Sequence, residues 1–314
     1  MNYKTPKAWA VLIVMCVVGV VAILTWNSNG VKSAMKNKEE NRSLDVYQNP
    51  LRTYSSGLNL IFFADGYLSF KEFDYDIQVL LQQLRSIEPW KSYDSYSIYK
   101  VRPNELDICT VKTENERKPT LRCDAEKINS YLNQLKTDRF KLIVLSRRNF
   151  QSWANVSRLS DSGIFFSIPK SPRDETEKGT LGILFAHMMG HAFGLKDEEV
   201  FVIAKADSAA HKPDGPNCAP NKETAEKWWG DLVGKDAKVG YFPGCASKAE
   251  YIKPTKGSLM NLNELEFLTD SYGPVSERYL RKILDYCFSE KQYSISDDPE
   301  FFALYPEFRE CVTQ

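Results

Sequence analysis

The sequence predicts an α/β (α+β) domain, a mixed or parallel sheet with helices packed on it, behind a single N-terminal transmembrane helix. Three observations lead there. Short apolar runs rich in strand formers alternate with stretches of helical spacing between residues 57 and 145. Residues 8–26 form an uncharged apolar run of about 19 residues, enough to cross a bilayer. An apolar helix carries His187 and His191 at i and i+4, followed by Gly194 and Asp197.

Composition narrows the function classes. With 314 residues, 43% hydrophobic and 26% charged, the chain has room for one large domain or two small ones. The 41 basic and 41 acidic residues cancel, so no global field draws in nucleic acid.

Residues 1–7 read as a cytoplasmic stub and 8–26 (AWAVLIVMCVVGVVAILTW) as an anchor in the lipid bilayer. The rival is a cleaved signal peptide, whose apolar region is shorter, about 7–15 residues, and ends in small residues. Here the run ends at Thr25 and Trp26, which favours an uncleaved anchor. Lysines on both sides leave the positive-inside comparison balanced. Residues 27–50 are polar and read as a linker, and 51–314 as the folded domain.

Within that domain, residues 57–64 are a strand ended by the turn signal Asp65, Gly66, Tyr67. Ser69 caps a helix from Phe70 to about Ile87, with Phe73, Ile77, Leu80, Leu81 and Leu84 on one face. Residues 95–101 are a second strand and 109–123 a charged loop. Asp124 caps a helix to about Leu135, 141–145 is a buried strand, and 163–168 an edge strand beside the histidine helix. Residues 207–220 are a loop, 223–233 a short helix, 239–254 a loop held by cysteines, and 257–261 a tight turn. Helices over 274–288 and 299–311 complete the chain.

Cys16 lies in the anchor. The other six cysteines, Cys109, Cys123, Cys218, Cys245, Cys287 and Cys311, form an even set. In polar, turn-rich segments they point to disulfides and an exported domain. Proximity suggests Cys109–Cys123, Cys218–Cys245 and Cys287–Cys311, with other pairings open.

The helix from Thr180 carries the chemistry. Side chains at i and i+4 lie one above the other, so His187 and His191 reach one ion. Gly194 permits the chain to reverse, and Asp197 returns as a third ligand. Three protein ligands with an open fourth position is the layout of a catalytic zinc. The chain has three histidines in all, and two stand at this spacing, which argues against an accidental core pair. His211 falls in a loop and reads as solvent-exposed, and Asn155 begins a sequon that matters only in a eukaryotic secretory pathway.

The pattern resembles the zincin signature His-Glu-x-x-His-x-x-Gly-x-x-His/Asp, with Met188 where the general-base glutamate belongs. Further segments extend the likeness: FFADGY (62–67), IEPWKSY (87–93), YSIY (96–99), NC (217–218), KWW (227–229), VGYFPGC (239–245), YIKPTKGSLMN (251–261) and YGPVSER (272–278). Together they resemble the IgA-peptidase type of bacterial zinc metalloendopeptidase. The resemblance implies a zincin or metzincin-like catalytic domain, zinc on His187, His191 and Asp197, and a methionine turn at Met260. The segment after Gly194 is shorter than many members show, which leaves Glu198 as an alternative third ligand. Trp228 and Trp229 either line a cleft or pack a helix, and Asp65 to Tyr67 either touch substrate or merely end a strand.

A thioether takes no proton from a metal-bound water, and general-base catalysis contributes about 10²–10⁴-fold. Glu198 and Glu199 follow the helix break and are poorly placed to substitute. The expectation is therefore a membrane-anchored domain facing the bacterial periplasm that binds zinc, takes a peptide or protein in its cleft, and hydrolyses poorly or not at all. The alternatives are an active metalloendopeptidase with an atypical base, and a metal-free interaction or structural protein.

Overall fold

The computed structural model describes residues 45–48, 57–102, 108–113, 119–135, 140–150, 152–154, 163–168, 175–199, 215–261 and 270–312. The proposed anchor 8–26, most of the linker, Asn155 and His211 lie outside the described residues. Among the described residues no helix is long and apolar enough to cross a membrane. The chain divides between Asp45 and Val46, and the site lies in the unit Val46–Gln314.

The strands in chain order are β1 (Asp45–Gln48), β2 (Leu58–Asp65), β3 (Tyr96–Arg102), β4 (Cys109–Lys112), β5 (Thr120–Cys123), β6 (Phe140–Ser146), β7 (Trp153–Ala154), β8 (Gly163–Ser167), β9 (Phe242–Cys245) and β10 (Lys248–Lys253). The helices are α1 (Phe70–Leu84), α2 (Ala125–Leu135), α3 (Glu175–Ala192), α4 (Lys222–Trp229), α5 (Pro274–Phe288) and α6 (Pro299–Leu304). Six strands form one sheet in the order β1-β3-β2-β6-β8-β7. β3, β2, β6 and β8 run parallel, and β7 closes the edge antiparallel to β8. This is the mixed α/β sheet that the strand and helix order predicts.

Both faces of the sheet are covered. Adjacent residues of a strand point to opposite faces, and the ring of Phe62 lies 6.2 Å from Phe185 of α3 while that of Phe63 lies 5.8 Å from Tyr131 of α2. β2 is accordingly buried at every position, the pattern of a central parallel strand. On one face, Leu58, Leu60, Phe62 and Ala64 join Phe73, Ile77 and Leu80 of α1 and the apolar residues of α3 in one core. α1 crosses α3 closely at Gly182, where an added Cβ would lie 2.2 Å from the Cβ of Gln83.

Ser69 caps α1 by accepting from the Glu72 amide, and Asp124 does the same for α2 through Lys127 N. α3 begins at Glu175, earlier than the sequence indicates. Five other expectations are corrected. The strand expected at the edge, 163–168, is β8 and lies inside the sheet between β6 and β7, with β7 taking the edge. Part of the proposed linker, 45–48, is strand β1, whose pairing rests on backbone groups that leave little trace in side-chain pattern. The proposed loop 109–123 contains an antiparallel pair, β4 and β5, with Cys109 facing Cys123. The proposed loop 239–254 contains another, β9 and β10, turned by Ala246 and Ser247, both at positive φ (51° and 59°). Neither residue is a usual choice for such a turn, so the hairpin carries no sequence signal. The tail forms two pieces, α6 and a 3₁₀ turn Pro306–Cys311, because Pro306 disfavours helical geometry at Tyr305.

Candidate metal centre

From Leu181 on, α3 is apolar almost all round, as a helix buried on most sides must be. Phe185, Ala186, Met188, Met189 and Ala192 are all buried in the core. Its end is a Schellman motif. Gly194 has φ 98°, its amide donates to His191 O (2.9 Å), and the Leu195 amide donates to Gly190 O (3.0 Å). Lys141, buried at the start of β6, donates from Nζ to Ala192 O at 3.0 Å, supplying a donor to an otherwise orphan helix-end carbonyl. Burial pushes its ammonium down to about 7.

The reversal brings Asp197 back over the two histidines. Asp197 Oδ1 lies 3.1 Å from His187 Nε2 and 3.0 Å from His191 Nε2. The opposite ring nitrogens are occupied: His187 Nδ1 lies 2.9 Å from Leu259 O, and His191 Nδ1 2.9 Å from Leu195 O. A carbonyl only accepts, so each Nδ1 carries a hydrogen, and Nε2 is the ring nitrogen that each histidine turns toward Asp197. Oδ1 is buried and has no hydrogen bond of acceptable geometry, despite its two close neighbours. Among the described residues, this group of three could hold a metal ion, its ligand atoms all within 4.8 Å of one another.

Three electron-pair donors packed around one point repel unless a cation or a shared proton sits among them. Burial opposes charge on Asp197, yet the two imidazoles hold its carboxyl well below the usual carboxylate range. Burial likewise opposes a proton on His191, and the neighbouring carboxylate outweighs it and raises the imidazole. The donor set fits zinc. Two imidazoles and a carboxylate with bonds of about 2.0–2.1 Å stand roughly 3.3 Å apart in a tetrahedral site, close to the two histidine–aspartate distances of 3.1 and 3.0 Å. His187 is deep, at 4% side-chain exposure, while Asp197 at 33% sits toward solvent.

The acid facing the histidines is Asp197. Glu198 turns into the interior, where Asn217 Nδ2 (3.0 Å), Ser258 Oγ (2.8 Å) and Thr255 Oγ1 (3.2 Å) donate to its carboxylate. Burial raises that carboxyl to about 7 against the pull of these donors and Lys253. Met260 is fully buried under α3, where a Cβ on Gly190 would come within 2.6 Å of its sulfur. Met188 is buried in the core at 8% exposure.

Other sequence candidates fall elsewhere. Trp229 belongs to a small second core with Ala219, Ala225, Val239 and Val275, the packing reading of the tryptophan pair. Asp65 binds Ser146 and Arg148, tying the end of β2 to that of β6, and Tyr67 donates to Asp76, tying the turn after β2 to α1. The six cysteines form Cys109–Cys123, Cys218–Cys245 and Cys287–Cys311. Sequence reasoning missed Lys141, Asn217, Lys253, Thr255 and Ser258. All but Lys141 lie in the segments that carry the family likeness, as polar residues that a loop explains equally well.

No protein-family model matches the chain, and no curated protein matches it. The geometry of the site therefore carries the functional reading.

Proposed function

We propose that the chain is an exported, membrane-anchored metallopeptidase-like domain of the IgA-peptidase type that holds zinc on His187, His191 and Asp197. In this reading it has lost efficient peptide-bond hydrolysis and acts by binding a peptide or protein beside the ion. The observation that carries it is the convergence of two imidazole Nε2 atoms and one buried carboxylate oxygen, itself without a hydrogen bond, on a common point.

A bound zinc would polarise a substrate carbonyl and lower the pKa of a coordinated water. The chain's own part is to fix the three ligands: Leu259 O and Leu195 O orient the imidazoles, and the turn at Gly194 delivers Asp197. The proton acceptor is what is lacking. Met188 has no basic atom for the task, and Glu198 is committed to Asn217, Ser258 and Thr255. That commitment weighs against an active enzyme using Glu198 as its base.

Metal analysis of the full-length protein, beside His187→Ala, tests the ion: about one zinc per chain is expected, lost in the variant. A metal-free wild type would favour the structural-protein reading. Peptidase assays on wild type and Met188→Glu then test the lost base. Hydrolysis only in the variant supports the proposal, whereas wild-type hydrolysis abolished by His187→Ala overturns it.

A further inference from the structure

The segment that carries Asp197 is tethered at nearly every backbone group. The Lys196 amide donates to Asn217 Oδ1 (2.9 Å) and Asn217 Nδ2 returns to Lys196 O (2.8 Å). Asp197 O accepts from Ala246 N at 2.7 Å, and Glu199 O from Ser247 N at 3.0 Å. Glu198 donates its amide to Met260 O (2.8 Å) and accepts at its carbonyl from Lys253 Nζ (2.8 Å). Its carboxylate then takes Asn217, Thr255 and Ser258, and the side chain is 0% exposed.

Three features set this apart from ordinary loop bonding. The hydrogen-bond partners come from three separate stretches of chain, around 217, 246 and 253–260. Two of those stretches are joined by the Cys218–Cys245 disulfide, whose cysteines adjoin Asn217 and Ala246. Finally, Ala246 and Ser247 present their amides from left-handed backbone, at φ 51° and 59°, a conformation that non-glycine residues keep only where the surroundings enforce it.

Asp197 Oδ1 faces the histidines while its neighbour Glu198 is anchored in the interior, so the anchored residue sets how far the exposed one reaches. We infer that Glu198, held by Asn217, is a positioning residue for the metal: its buried carboxylate fixes Asp197 at the distance from His187 and His191 that closes the site. This inference rests on the zinc-binding reading above. Outer partners that orient metal ligands govern affinity by about 10–100-fold, and Glu198 meets that description through the backbone instead of through a ligand ring.

The test is titration of the full-length metal-free protein with Zn²⁺ and with Co²⁺, whose visible absorption reports coordination geometry. Wild type, Glu198→Ala and Glu198→Gln are compared, with His187→Ala as the control that removes a ligand. A wild type that takes up no ion sinks the zinc-binding reading itself. Where wild type binds, about a 10–100-fold loss of affinity in Glu198→Ala, with an altered cobalt spectrum, supports the positioning role. Unchanged affinity and spectrum overturn it. Should Glu198→Ala fail to fold, Glu198→Gln, which fills the same volume, decides by the same outcomes.

Discussion

Lys141 shows how one side chain constrains the end of the histidine helix. It brings an ammonium group into a buried place, over the ring of Phe193 at 4.6 Å and bonded to Ala192 O. Its folded value of about 7 lies below the ordinary lysine value of 10.5. Between those values the unfolded chain binds more protons than the folded one, so stability rises with pH across that window and is lowest below it. Replacing it by methionine, Lys141→Met, is expected to flatten this rise, worth a few kcal/mol. Urea unfolding of both proteins at several pH values from 6.5 to 10 checks it. At the same scale, on the proposed peptidase-like reading, Met188→Glu supplies a proton acceptor and is expected to raise peptide hydrolysis by at least about 10²-fold, measured as kcat/KM on an unstructured peptide.

Helices and turns determine whether the ligands meet. Gly190 lies between the two histidines, where a Cβ would stand 2.6 Å from Met260 Sδ and 2.9 Å from Tyr272 Cε1. Tyr272 cannot yield easily, since its hydroxyl bonds Trp90 Nε1 at 3.2 Å and also Ala186 O. Gly190→Ala is therefore expected to cost about 1–3 kcal/mol in unfolding free energy and to weaken zinc uptake, because the Met260 turn also holds His187 through Leu259 O. Unchanged denaturation and metal content would refute this. Much at this scale was legible in the sequence. The spacing of His187 and His191 and the break at Gly194 are local features, and Gly194 does adopt the left-handed conformation that ends the helix. The β9–β10 hairpin was not legible, because its turn is built from Ala246 and Ser247. Nor were the partners of the Glu198 carboxylate, which come from 19 to 60 positions downstream and share no period with it.

Across the molecule, the three disulfides have unequal work. Cys109–Cys123 closes the β4–β5 pair, and Cys287–Cys311 joins α5 to the C-terminal turn. Only Cys218–Cys245 adjoins the residues that grip the Asp197 segment. Each double serine variant is expected to lose about 2–4 kcal/mol of stability, seen in chemical denaturation. The Cys218→Ser/Cys245→Ser variant should also lose zinc affinity, while Cys109→Ser/Cys123→Ser should keep it. Equal affinities in the two variants would dissociate the bridge from the site.

The turn at Ser258 to Met260 has a consequence for the protein's life history. His187 takes its orientation from a carbonyl 72 positions further along, and the segment bearing Asp197 leans on the next carbonyl of that turn. A nascent chain that has passed only the histidine helix thus has the spacing of a metal site without its geometry. On the proposed zinc-binding reading, ion capture waits until synthesis has gone beyond Met260, so loading would belong to whichever compartment receives the finished fold, and the zinc available there would set how full the site becomes.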